Sequence, residues 1–376
     1  MESSQTNKLK ERSIIEPPTS AVLMGPREGF NERLKTNLSL IKIRLKTSDF
    51  KVKNLTLGKY TKTKISVLYI EGVANEQIVE KVFKKLKEIK IDAIIDSYYL
   101  VGFLEDRPHS VLKQVGQTEK PDVLTAKLLE GRIGILCDGS PIALTLPFLL
   151  IEDLQSPDDY YQKEMRVTFI RAIRLIGVML SVLLPGFYLA TIMYHYKIIP
   201  LNLLVTLLNA TANLPFGPLI EMLFILLLFE ILYEANLRMP KNLGLALSIV
   251  GALILGDTAV KAGFISPPSV LIIALSSIPI YTTPNQAGQL SLLRFFFTII
   301  GAMFSLYGMI IAALLLVLYL CGFSSYSVPY LAPFAPYIKA DLKDAIKKDN
   351  IIALKTRPKS LKNKNKTRLN SNENNI

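Results

Sequence analysis

From Ile176 to Leu320 this chain carries only nine formally charged side chains: Lys197, Glu221, Glu230, Glu234, Arg238, Lys241, Asp257, Lys261 and Arg294. A soluble core accommodates uninterrupted apolar helices, but a run this long with so little charge leaves no polar covering for a water-facing surface. The segment therefore reads as a set of membrane helices. Whole-chain averages conceal the asymmetry, since half of the residues are hydrophobic and 20% are charged. The formal net charge of +13 comes mainly from the two ends. Lysines that flank a membrane region indicate cytoplasmic retention and contact with anionic lipid headgroups. There is no helix-turn-helix pattern or cysteine/histidine finger, so the charge is not read as nucleic-acid binding.

Arg166, Arg171 and Arg174 precede an apolar helix over Leu175–Tyr194, which places its amino end inside. Ile198–Leu208 is too short for an ordinary crossing and reads as an interfacial piece, a re-entrant piece or a half-helix. Leu219–Tyr233, Leu243–Val260, Val270–Ile280 and Leu292–Leu320 complete the hydrophobic series. Pro279 and Pro284 interrupt the chain before the last helix. The count is four to six crossings. The tail holds Lys339, Lys343, Lys347, Lys348, Lys355, Arg357, Lys359, Lys362, Lys364, Lys366 and Arg368. With both ends inside, the number of crossings is even. The polar start, MESSQTNKLK, lacks the apolar stretch of a signal peptide. Gly251, Gly256, Gly301 and Gly308 permit close helix packing.

The amino-terminal third reads as a small α/β domain. Ile65–Ile70 is a buried strand by its β-branched and aromatic content. Asn75 caps a helix over 76–88, whose stripe is Ile78, Val79, Val82, Phe83 and Leu86. A second strand is expected near Ile91–Ile95. A helix from Asp122 to Gly131 directs Val123, Leu124, Leu128 and Leu129 inward. Ile133–Cys137 and Ile142–Pro147 are strands joined through Asp138, Gly139, Ser140 and Pro141. Residues 40–64 read equally as strand or as a short helix and loop. The expected fold class is a multi-pass α-helical membrane protein with a small N-terminal cytoplasmic α/β domain. Its parts are a polar and basic lead (1–59), the α/β domain and junction (60–165), the helical membrane domain (166–338) and a basic cytoplasmic tail (339–376).

Few residues suggest chemistry. Cys137, Cys321, His109 and His195 form no metal or redox motif, so no cofactor or metal is expected. Ser140 has no histidine partner in view, and its neighbours already explain a tight turn. Glu152, Asp153, Asp158 and Asp159 read as a solvated junction rather than a cation site. Asp257 and Lys261, four apart, form a candidate structural ion pair. Glu221, Glu230 and Glu234 are candidates for the polar face of an ion path. Glu221 and Glu230 are nine residues apart, about 900° of helix, and so project to opposite faces of a regular helix. Glu230 and Glu234 share a face, and they read equally as the headgroup end of the helix with Arg238.

Several separated segments together carry a family resemblance. They are Gly25-Pro26-Arg27-Glu28-Gly29-Phe30, Thr118-Glu119-Lys120-Pro121-Asp122, Leu129-Glu130-Gly131-Arg132 and Asp138-Gly139-Ser140-Pro141. In the hydrophobic half they are Pro215-Phe216, Phe229-Glu230-Ile231-Leu232-Tyr233-Glu234-Ala235, Ile249-Val250-Gly251-Ala252-Leu253 and Ser266-Pro267-Pro268. Val328-Pro329-Tyr330-Leu331-Ala332-Pro333 closes the series. In this order they resemble the A-subunit family of GerA-type spore germination receptors, from about Gly25 to Pro336.

The resemblance implies a spore inner-membrane protein, with both termini cytoplasmic or facing the spore core, that works with a transporter-like B subunit and a lipoprotein C subunit. It implies nutrient sensing and homo-oligomeric contacts around an ion path. No nucleophile, base and orienter recur in a recognisable arrangement, so no enzymatic role is expected. A longer soluble region usually precedes the first motif, so an upstream part is expected to be lacking here. The chain departs from the family at Lys120 (commonly arginine), Ala212 and Asn213 (an arginine-glutamate pair), Leu226 (glutamate) and Tyr233 (arginine). A self-contained secondary transporter and a nonconducting membrane scaffold are the competing expectations.

Overall fold

The computed structural model describes residues 24–212, 214–240, 244, 249–251 and 253–368. The MESSQTNKLK start, Asn213 and residues 243, 245–248 and 252 of the expected Leu243–Val260 helix lie outside the described residues. Among the described residues, those up to Phe169 and those from Cys321 onward form one compact unit, and those from Ile170 to Leu320 form a second.

In the first unit, α1 (Leu34–Arg44), β1 (Phe50–Leu57), β2 (Thr63–Ile70), α2 (Glu76–Glu88), α3 (Tyr98–Leu104), β3 (Gly116–Thr118), α4 (Pro121–Leu129), β4 (Ile133–Cys137) and β5 (Ala143–Leu146) follow in order. The five strands make one sheet, β1-β2-β4-β5-β3, antiparallel throughout. Alternation along β2 separates two cores. Ile65, Val67 and Tyr69 join α2 and α3 on one face. Leu68 and Ile70 join α1 and α4 on the other. The sheet is therefore covered on both sides, which explains why Ile65–Ile70 of β2 and the whole of β4 and β5 are buried at every position. α2 starts where Asn75 accepts from the Gln77 N–H at 3.0 Å.

Residues 40–64 contain both of the alternatives, the end of α1 and then β1. The strand expected over Ile91–Ile95 does not form. Its polar groups serve the β1–β2 turn instead: Lys59 N–H and Tyr60 N–H donate to the carbonyls of Ile91 and Asp92, and Ile94 N–H donates to Thr61 Oγ1. Leu129, expected inward, is exposed at the last position of α4, while Leu124 and Leu128 carry its buried stripe.

The chain after Cys321 packs into this same unit. A short hairpin, β6 (Ser324–Ser325) and β7 (Val328–Pro329), delivers Tyr326, Val328 and Ala332 to the core shared with α2 and α3. Tyr326 N–H donates to Asp106, which Lys81 and Lys85 bridge at 3.0 and 2.9 Å. Farther on, Leu361 is buried in that core, and Lys348 donates from its buried Nζ to the carbonyls of Asp159 and Gln162.

The second unit is helical. α5 (Glu164–Tyr194) begins in the first unit and extends well ahead of the expected start at Leu175. Then come α6 (Leu201–Thr211), α7 (Pro218–Arg238), α8 (Pro267–Ser277) and α9 (Ala287–Cys321). Among the described residues two helices, Glu164–Tyr194 and Pro284–Cys321, are long and apolar enough to cross a membrane. The expected single helix over Leu292–Leu320 is interrupted: Ser305 has φ 63° and ψ −167°, outside any helical region. The chain turns sharply there, leaving no room for a side chain at Gly308, where a Cβ would meet Phe304 Cβ at 2.2 Å. His195 Nε2 lies 2.9 Å from Ser305 Oγ, and Tyr194 OH donates to the Ala302 carbonyl at 2.7 Å. α5 and α9 touch backbone to backbone, because a Cβ on Gly301 would lie 2.2 Å from the Gly186 oxygen.

Gly301→Ala forces α5 and α9 apart and costs about 1–3 kcal/mol, read as a lower melting temperature of the solubilised protein. Gly256→Ala, with nothing within 4 Å, leaves that temperature unchanged.

Glu152 is buried in the first unit beside Arg132, with Lys127 Nζ 2.7 Å from its Oε2. Burial pushes its carboxyl up, but Arg132, Lys127 and the Leu149 N–H outweigh this and hold it below the usual carboxylate range. A depressed carboxyl contributes stability that is full above the unfolded-state value and is lost as pH falls through the lowered folded-state value. Unfolding followed from about pH 7 to pH 3 shows this acid loss. Glu152→Gln flattens it, and Glu152→Ala costs about 3–5 kcal/mol because Arg132 is left buried.

Candidate functional site

α7 places its three glutamates in three different settings. Pro218 opens the helix, and its regular turns put Glu221 and Glu230 on opposite faces. Glu221 is buried, and its Oε1 accepts from both the N–H and the Oγ of Ser266 at 2.7 Å. Ser266 caps α8, its Oγ accepting from Ser269 N–H at 3.3 Å. Glu221 thus lies at the amino end of α8, where the helix dipole and its free N–H groups favour a negative charge. No cationic side chain pairs with it among the described residues.

Glu230 stands in a polar cluster between α7, α8 and α9. Its Oε2 accepts from Ser291 Oγ at 2.6 Å and lies 3.5 Å from an Nη of Arg294. Arg294, 2% exposed, donates from Nη1 to Ser277 Oγ at 2.7 Å. Its Nε has no hydrogen-bond partner among the described residues. Tyr233 and Tyr281, with ring centroids 5.5 Å apart, line the same pocket with Phe229 and Ile280. The cavity between them is ≈ 20 Å³, about the room one water needs. Glu234 is exposed and pairs with Arg238 one turn on, at 2.5 Å. Asp257 and Lys261 pair at 2.8 Å, also exposed.

The structure therefore does not bring Glu221, Glu230 and Glu234 to one place. Arg294, Ser277, Ser291 and Ser266 are the residues that sequence reasoning missed. Arg294 was visible as the lone charge of the last apolar segment, but its partners lie on other helices.

The Asp138–Pro141 turn is built for packing. Asp138 Oδ1 accepts from Leu34 N–H at 3.0 Å, and Gly139, at φ +89°, donates its N–H to the Glu32 carbonyl. The buried Ser140 Oγ lies 2.6 Å from Asp96 and 3.0 Å from Ser97 Oγ, with no histidine in contact. Burial also pushes the neighbouring Cys137 thiol up to about 12, well away from thiolate chemistry. No group of histidine, cysteine, aspartate and glutamate suited to a metal occurs among the described residues.

If Glu221 serves α8, Glu221→Ala leaves the Ser266 N–H unpaired and lowers stability by about 1–2 kcal/mol. Glu221→Gln, which keeps an acceptor, loses less. Melting of the solubilised protein in the two variants checks this ordering.

Comparison with known proteins places the whole chain. Residues 3–360 match the family model described as Bacillus/Clostridium GerA spore germination protein. Spore germination protein KA of Bacillus subtilis (strain 168) is 38% identical over 361 residues, 96% of this chain and 66% of that protein. The uncharacterized membrane protein YfkQ of the same organism is 38% identical over 337 residues, 89% of this chain and 66% of that one. Spore germination protein GerQA of Bacillus cereus is 35% identical, covering 98% of this chain and 74% of that protein. The chain thus spans 66% of the length of the first two relatives. The crystal structure of the N-terminal domain of the A subunit of the Bacillus megaterium spore germinant receptor GerK3 is 38% identical, covering 31% of this chain and 93% of that one, with a TM-score of 0.26. By the extent of the family match and the identity to these relatives, this chain belongs to the GerA family of spore germination proteins, as a member of its germination-receptor A-subunit family.

Proposed function

We propose that this protein is the A subunit of a nutrient-responsive spore germination receptor, a non-enzymatic subunit that couples ligand recognition by a partner to ion release. The observation that carries the reading is the match to the family over residues 3–360. In this reading the partners are B and C subunits and further copies of the chain, assembled around an ion path in the spore inner membrane. The cluster of Glu230, Ser291, Arg294 and Ser277 supports a polar element within that path. It is the kind of intramembrane charge that is costly to keep and is usually functional.

The packing of the first unit supports a multi-pass topology with both ends on one side. Residues 24–169 and 321–368 share one core, and a packed body cannot straddle a bilayer. The chain between them must then return to the side it left, which requires an even number of crossings. The basic residues before α5 and along the tail support the cytoplasmic or core-facing side.

Deletion of the gene, and separately of its receptor-operon neighbours, tests the function. Each deletion is expected to abolish or delay the response to the same nutrient. A normal response in every deletion, with no redundant receptor present, would sink the assignment. Topology is read by labelling single cysteines near Lys64 and Lys359 from each face in a Cys321→Ser background. Both label from one side, and labelling from opposite sides refutes the even count.

A further inference from the structure

We propose that Arg294 is the resident counter-ion of Glu230 and holds this polar cluster closed to cations. The inference rests on the ion-path reading and names the regulation of that same site.

Arg294 is fully buried yet poorly served by polar partners. Its neighbours along α9 are Leu290, Leu292, Leu293, Phe295, Phe296 and Phe297. A guanidinium carries five donors in a planar fork. An arginine that serves as a static brace meets its carboxylate with two short parallel bonds of about 2.7–2.9 Å. Arg294 instead has one strong bond, to the neutral Ser277 Oγ at 2.7 Å. It approaches Glu230 at 3.5 Å and leaves Nε unpaired beside a cavity. The pair is close enough to cancel its net charge and loose enough to separate.

Its connectivity makes the separation all-or-none. Both partners of Glu230, Ser291 and Arg294, are on α9, three residues apart, and so lie on one helical face. Glu230 itself is on α7. A shift of α9 along α7 removes the hydroxyl and the guanidinium together, leaving a carboxylate with no local compensation. While the pair is closed, a cation gains little from Glu230, because a positive charge already stands beside it. Once the pair opens, the bare carboxylate attracts a cation, and the cavity supplies the first place for water. Glu230 is also the more accessible partner, its side chain 37% exposed against 3% for Arg294. The lock is the buried element and the carboxylate faces outward.

The test uses the full chain with its receptor partners in liposomes. It reads resting monovalent-cation flux and, separately, adduct formation at Glu230 by a hydrophobic carbodiimide, followed by mass spectrometry. Arg294→Gln is expected to raise resting flux by roughly tenfold, within the span of such couplings, and to make Glu230 reactive. Adding Glu230→Gln to that variant abolishes the excess flux, which a merely structural role for Arg294 would not produce. Should Arg294→Gln fail to accumulate, Ser277→Ala removes only the Nη1 partner and raises both readouts by a smaller factor. Unchanged flux together with an unreactive Glu230, in whichever variant accumulates, overturns the proposal. If neither the parent nor any variant conducts, the ion-path reading fails and the lock falls with it. The carbodiimide result then still reports whether Arg294 shields Glu230.

Discussion

Arg294 is buried beside Phe229, Tyr233, Ile280 and Tyr281, where a guanidinium without polar partners would cost several kcal/mol. That cost constrains the packing around it. Ser277 at the end of α8, Glu230 two thirds of the way along α7 and Ser291 one turn before Arg294 converge there and supply a polar cluster from three apolar helices. The same rule acts at the other end of α7. Glu221 carries no cationic partner, yet the free N–H groups at the start of α8 give it a positive field. The two carboxylates thus fix α7 against α8 and α9 by opposite means, one through a helix terminus and one through an arginine.

Close helix contact in the second unit depends on absent side chains as much as on present ones. Gly186 and Gly301 let α5 and α9 meet at the backbone, so both helices gain dispersion contact that a larger residue would forbid. The sharp turn at Ser305 follows a few residues later, where His195 and Tyr194 at the end of α5 reach the turn through their polar tips. A serine at positive φ costs of order 1–3 kcal/mol, and persists because surrounding contacts over-determine it. The break divides an apolar run that hydropathy alone reads as one helix.

Much of the first unit was legible in the sequence for a physical reason. Ile65–Ile70 and Ile133–Cys137 are covered on both faces, so their apolar runs are dense and local. The stripe of Ile78, Val79, Val82 and Leu86 behind an Asn75 cap is likewise a nearest-neighbour signal. Ile91–Ile95 misled because its alternation resembles a strand, whereas its backbone groups are taken by the β1–β2 turn, a tertiary fact. In the second unit the glutamates could be found but not sorted. Helical arithmetic separated Glu221 from Glu230, and the spacing of Glu234 and Arg238 pointed to their pairing. Nothing local, however, links Glu221 to Ser266, 45 residues away, or Glu230 to Ser291, 61 residues away. Contacts of that range are set by packing, and a hydropathy pattern carries no record of them.

The closed first unit has a mechanical consequence. The start of α5 and the hairpin after α9 are the two covalent connections to the helical unit, and both begin in one packed body. Tyr326 and Val328 after α9 share a core with α2 and α3. On the other side, the buried Lys348 grips the Asp159 and Gln162 carbonyls just before α5, and its N–H reaches Thr168 within it. Pulling either connection away from the body exposes apolar surface or strands the Lys348 ammonium without its carbonyls, each a multi-kcal/mol penalty. The body therefore holds both connections at a set spacing, and a change of spacing requires the body itself to rearrange. The same packing explains why a lysine-rich tail contains a buried leucine, Leu361, where an unanchored basic tail has no use for one.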